Sequence, residues 1–190
     1  TFDVSCVNGE SVQLYDGATA TGTPVICALG TAAVTTAALT DGSHTITAIQ
    51  TDTAGNSSVA SAGLTITIDS AVPGTPSAPA FAAADDTGNA SNDGITSTTT
   101  NLTFTGTVEA NARVDIYDGG GSLANAVADG SGNYTIDIPG PLGAGAHSIT
   151  VRVQDASGNQ TAASAATSIT VDATAGTVTN VTSSLADGTY

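Results

Sequence analysis

The side chains of this sequence best suited to chemistry are carboxylates. Asp85, Asp86, Asn92 and Asp93 fall within one stretch, Asp85-Asp-Thr-Gly-Asn-Ala-Ser-Asn-Asp-Gly94. Asp155 and Asn159 bracket a second, Asp155-Ala-Ser-Gly-Asn159, while Glu109 and Asp69 each follow a strand-like run. Calcium takes about six to eight hard oxygens from Asp, Asn and backbone carbonyls. It is the one ligand these residue types argue for. The same residues can also do no more than close Asx turns in solvated loops. An EF-hand is ruled out, because the alternating-aspartate spacing with its terminal Glu is missing.

Other chemistries find less support. His44 and His147 are the only histidines. They occupy matching positions at the start of matching strand-like runs, which points to packing or a turn hydrogen bond. No feature singles out a serine to complete a triad. Composition does not exclude a glycosidase-like carboxylate pair, yet the Asp-rich loops recur in both halves of the chain, which active sites rarely do. Cys6 and Cys27 are the only cysteines. As a disulfide they would close a loop of about 20 residues and add roughly 3 kcal/mol. As free thiols they would want a base, and His44 is the only candidate. Tyr15, Tyr117 and Tyr134 read as strand aromatics more readily than as a sugar-stacking platform.

The charge balance narrows the partners. The 190 residues carry 17 acids against Arg113 and Arg152 alone, a formal net charge of −15. Nucleic-acid binding needs Lys and Arg to displace phosphate counterions, so it is not expected. Anionic membrane surfaces are disfavoured for the same reason, and no apolar run is long enough for a membrane-spanning helix.

The elements that must position these residues come from a repeat. Phe2 and Val12-Gln-Leu-Tyr-Asp-Gly17 match Phe104 and Val114-Asp-Ile-Tyr-Asp-Gly119 at an offset of 102. His44-Thr-Ile-Thr-Ala-Ile-Gln50 matches His147-Ser-Ile-Thr-Val-Arg-Val153 at an offset of 103, and Asp52-Thr-Ala-Gly-Asn56 matches Asp155-Ala-Ser-Gly-Asn159. A period of about 100 residues is the size of an independent domain. Apolar residues alternate at Ile149, Val151 and Val153, and again at Tyr134, Ile136 and Ile138. Turn signals separate such runs: Asp16-Gly17, Asp41-Gly42, Asp93-Gly94, Asp129-Gly130 and Gly140-Pro141. This pattern predicts an all-β protein of tandem immunoglobulin-like β-sandwiches. In the second repeat, strand A is expected near Thr75–Ala84, B near Leu102–Val108 and C at Arg113–Tyr117. A further strand is expected at Leu123–Ala128, E at Tyr134–Ile138, F at His147–Gln154 and G at Ser168–Val171.

Three segments follow: residues 1–69, a domain lacking its first strand; 70–172, a complete domain; and 173–190, the first strand of a following domain or a strand donated to another copy. In the tail, Val178, Val181 and Leu185 with Asp187-Gly188 resemble a strand A and its turn.

The blocks Phe104–Gly119, Gly145–Asn159 and Ala84–Thr96 resemble bacterial immunoglobulin-like repeats of giant surface adhesins. Those are secreted, acidic, repeat-rich proteins that often carry calcium between domains. The resemblance covers residues 70–172 and, less neatly, 1–69, where Cys6 stands at the position of Val108 and Val25–Leu29 is unusually apolar. It implies a non-catalytic stalk or spacer at the cell surface, with adjacent domains or copies of the same protein as partners, in a filament if strands are donated. The sandwich topology would then bring Asp69 toward Glu109, Asp155 and Asn159 as an interdomain calcium site. Asp85, Asp86, Asn92 and Asp93 form a second candidate. The alternative function is a carbohydrate- or receptor-binding module, for which a chain with no Trp is poorly supplied.

Overall fold

The computed structural model describes residues 1–182. It is all-β, with strands β1 to β14 and no helix among the described residues. The chain divides into two compact units, the first Thr1–Ala71 and the second beginning at Val72.

In the second unit β7 (Ala80–Phe81), β8 (Ile95–Thr96), β9 (Leu102–Thr107), β10 (Arg113–Asp118), β11 (Gly121–Val127), β12 (Asn133–Ile138), β13 (Gly145–Gln154) and β14 (Thr167–Val171) build two sheets. One has the order β11-β10-β13-β14-β8 and the other β12-β9-β7. The period-two apolar residues point inward from both: Phe104, Val114, Ile116, Ile136, Ile149, Val151 and Ile169 are all at most 2% exposed. Every pairing is antiparallel except that of β8 with β14.

The expected long strand A is not there. Only Ala80–Phe81 pairs in its sheet, and the chain then crosses to the other sheet as β8. Pro73, Pro76 and Pro79 explain the brevity, since each removes a ladder donor just upstream. The crossover makes a loop of residues 82–94, and that loop carries Asp85, Asp86, Asn92 and Asp93.

The first unit repeats the plan with β1 (Phe2–Ser5), β2 (Ser11–Asp16), β3 (Thr19–Ile26), β4 (Thr31–Val34), β5 (Gly42–Thr51) and β6 (Leu64–Ile68). Its sheets are β3-β2-β5-β6 and β1-β4. Among the described residues no counterparts of β7 and β8 accompany it. Where those strands cover the second unit, Phe2, Val4, Leu14, Ile46, Ala48 and Leu64 line an open groove of about 330 Å³. Cys6 and Cys27 are joined in a disulfide, Cα–Cα 6.0 Å. Cys6 follows β1 and Cys27 follows β3, so the bond staples the two sheets together.

Ala173–Thr182 join no strand, and Val178 and Val181 are more than 80% exposed. Leu185, Asp187 and Gly188 of the expected tail strand lie outside the described residues.

Candidate calcium-binding loops

The spacing D-x-x-G-N builds one turn three times. In Asp155–Asn159, Oδ1 of Asp155 accepts the N–H groups of Ser157 at 2.8 Å and Asn159 at 2.9 Å, and Oδ2 accepts the Asn159 side-chain amide at 2.9 Å. The backbone closes behind it, with the Asp155 N–H on the Asn159 carbonyl and the Gly158 N–H on the Asp155 carbonyl. Asp52–Asn56 repeats every one of these bonds. The glycine is required because it takes a left-handed backbone, φ +89° at Gly55 and +95° at Gly158. The third copy, Asp129-Gly-Ser-Gly-Asn133, was not singled out from the sequence, although its spacing is identical.

These bonds stabilise the ionised carboxylates. Hydrogen bonds from Asn159, side chain first, hold Asp155 below the usual carboxylate range. The Asn56 side chain does the same for Asp52, and the Asn133 backbone N–H does so for Asp129. Each turn therefore presents a fixed anion whose oxygens already accept donors from its own loop.

The four residues expected to meet between domains are divided between the units. Asp69 ends the first, directly after β6, where its Oδ1 accepts the Ala71 N–H at 3.0 Å. In the second, the pairing of Arg113 with Gln154 sets the turn holding Glu109 at the same end as the Asp155–Asn159 loop. Glu109 is exposed there, and Asp155 and Asn159 are half-buried.

The loop set separates too. Oδ2 of Asp85 accepts the Thr103 N–H at 2.7 Å and so caps the start of β9. Asp86, Asn92 and Asp93 instead line one cavity of about 370 Å³, floored by Phe81 and β14. Asp86 Oδ2 accepts the Gly94 N–H at 3.1 Å, and Asp93 Oδ1 accepts that of Ile95 at 3.0 Å. Among the described residues no three His, Cys, Asp or Glu side chains converge as a metal cluster. A hard-cation site here would need Asn and carbonyl oxygens as well, which suits calcium and not zinc.

The cationic side chains are committed elsewhere. Arg113 pairs with Asp115 at 2.7 Å, and Arg152 lies over the Tyr117 ring, 5.3 Å from its centroid. His44 Nδ1 meets Asp16 at 2.6 Å and its Nε2 the Thr40 carbonyl at 2.8 Å; His147 meets Asp118 and Gly143 in the same way. Both histidines sit at the start of their long strands as hydrogen-bonded clasps.

This architecture is that of an immunoglobulin-like β-sandwich, present twice. The bacterial Ig-like domain family matches residues 1–70 and 72–174, and the chain belongs to that family. No curated protein matches it. Among solved structures, fibronectin(III)-like modules of CbhA from Clostridium thermocellum share the fold at 19% identity and a TM-score of 0.51, over 90% of this chain and 84% of theirs. A Ca2+-stabilized adhesin with which an Antarctic bacterium binds ice is 20% identical with a TM-score of 0.40, over 90% of this chain and 42% of the adhesin. The tetra-tandem repeat in the extending region of a large adhesion protein is 20% identical with a TM-score of 0.37, over 89% of this chain and 43% of that one. The present chain thus spans less than half of either adhesin chain.

Proposed function

We propose that the chain is a structural, non-catalytic repeat segment of an extracellular bacterial adhesin stalk or surface filament. The observation that carries this reading is the direct succession of two domains of one family, matched at 1–70 and 72–174. Domains joined this closely suit a spacer. The net charge of −15 adds solubility and self-repulsion, which favour an extended chain. Calcium held by Asp69, Glu109, Asp155 and Asn159 would neutralise the facing ends and stiffen the junction. The partners are adjacent domains or copies of the same protein. The open groove of the first unit, beside the edges of β1 and β6, is where a further strand would add.

Small-angle scattering of the chain with calcium and with chelator tests the stiffening. Chelation should loosen the junction and change the maximum dimension while far-ultraviolet circular dichroism stays constant. An unchanged maximum dimension would remove calcium from the reading.

A further inference from the structure

The loop between β7 and β8 contains a charged group that the protein itself leaves incomplete. Asp86 is 7% exposed, and its Oδ1 is buried without a hydrogen-bond partner. A buried carboxylate oxygen in that state is costly unless something other than the protein's own donors satisfies it. No side-chain cation does so: the sequence has no lysine, and both arginines and both histidines are engaged elsewhere. Asp93 and Asn92 line the same cavity and add further oxygens.

A second observation marks the same loop. A Cβ placed on Gly88 would stand 3.3 Å from the Ile95 carbonyl oxygen, 3.6 Å from Asp93 Oδ1 and 3.7 Å from the Ala90 carbonyl oxygen. Three loop oxygens, one of them from Asp93, thus approach the same side of Gly88. Magnesium demands a tighter octahedron and sheds water reluctantly, which a loop of mixed carbonyl and carboxylate oxygens does not favour.

We propose that the β7–β8 loop of the second unit is an intradomain calcium site, with Asp86 and Asp93 as its charged ligands and Asn92 and loop carbonyls completing the shell. Asp85 is left outside this shell, because its Oδ2 caps β9. Bound calcium would pin the crossover that carries the chain from one sheet to the other. This inference shares its choice of ion with the reading above and is otherwise independent of the junction between units.

The test is calcium titration of the whole chain, followed by calorimetry and by amide chemical shifts. Wild type should shift the Gly94 and Ile95 amides on saturation, and the unfolding midpoint of the second unit should rise by several degrees. Asp86→Asn should bind at this loop at least tenfold more weakly and lose the midpoint rise. In chelator the same variant should be no less stable than wild type, since the amide removes an unpaired charge and its oxygen can keep the Gly94 bond. Gly94 and Ile95 amides that ignore saturating calcium, or an Asp86→Asn variant that binds as wild type does, would overturn the site. Asp155→Asn separates the two readings: it alters the junction set and should leave the Gly94 and Ile95 shifts intact.

Discussion

The two units fold to one plan around cores of different completeness. Val12, Leu14, Val34 and Ile46 of the first are buried like Val114, Ile116, Ile136 and Ile149 of the second. The match fails along one side. Ile169 is 2% exposed, Val171 1% and Phe104 0%, whereas Ile66, Ile68 and Phe2 are only partly buried. Those positions lie on the strands that β7 and β8 cover in the second unit. Phe81 of β7 packs its ring 5.2 Å from that of Phe104, and nothing in the first unit takes its place over Phe2. The same inward pattern therefore yields a closed core or a half-open one, depending on two strands of two residues each.

Where the cores do match, they match as pairs. Tyr134 lies opposite Gly106 across β12 and β9, and Ala32 lies opposite Val4 across β4 and β1. Large faces none, and small faces medium. A Cβ at Gly106 would stand 2.5 Å from the Tyr134 hydroxyl, so the second unit needs glycine there. The largest effect we expect follows. Tyr134→Ala should cost about 3 kcal/mol or more by leaving a cavity. Gly106→Val should cost about 1–3 kcal/mol by overpacking. The double variant reproduces the pair of the first unit and should cost clearly less than the sum, as a double-mutant cycle in urea would read. Additive costs would mean the pair is not the unit of packing.

The disulfide sharpens the comparison next. Cys6 and Cys27 stand where the second unit has Val108 and Ala128, and Cys27 and Ala128 are both 3% exposed. The first unit thus carries a covalent staple at a site where the second relies on packing. Its loop spans 21 residues, for which chain entropy gives roughly 3 kcal/mol. Cys6→Val with Cys27→Ala keeps the packing and removes the bond. By calorimetry the first unit's transition should fall by that amount while the second unit's stays in place. Two unchanged transitions would show that the bond adds nothing to the packing around it.

The repeat and the inward alternation were legible because period two and a recurring offset need only apolar residues in register. His44 and His147 were legible as a matched structural pair for the same reason. Strand A, expected near Thr75–Ala84, is shorter than that because three prolines withhold the donors a ladder requires. β8 escaped notice because two residues at the end of a loop carry no period. Among the loops, residue type marked Asp85 and Asp86 alike. Only the folded loop separates the one that caps β9 from the one left with a buried, unpaired oxygen. The D-x-x-G-N spacing encodes its own turn, which is why two copies were readable and the third should have been.

The smallest expected effect tests what the units share and not how they differ. Each histidine ring has acceptors at both nitrogens, and it can donate to both only as the imidazolium. The hydrogen bond to Asp16 raises His44 above its ordinary 6.5, and the bond to Asp118 raises His147 in the same way. A raised folded value means that the stabilisation is complete below about pH 6.5 and is lost as the pH climbs through the raised value. Asp118 moves the other way: burial opposes its ionisation, but hydrogen bonds from His147 and the Ser148 N–H outweigh it and hold the carboxyl below 3.8. Its contribution is present above about pH 3.8 and fades as the pH falls through the lowered value. The clasp of the second unit should therefore hold best between those limits and weaken toward alkaline pH. Histidine ring shifts followed by NMR titration should give midpoints above 6.5 for both residues. His44→Gln and His147→Gln should each flatten the alkaline loss in their own unit only. Because the clasp is built alike in both, the two units should respond in parallel despite their unequal cores. A pH response confined to the half-open unit would assign the effect to its groove and not to the histidine.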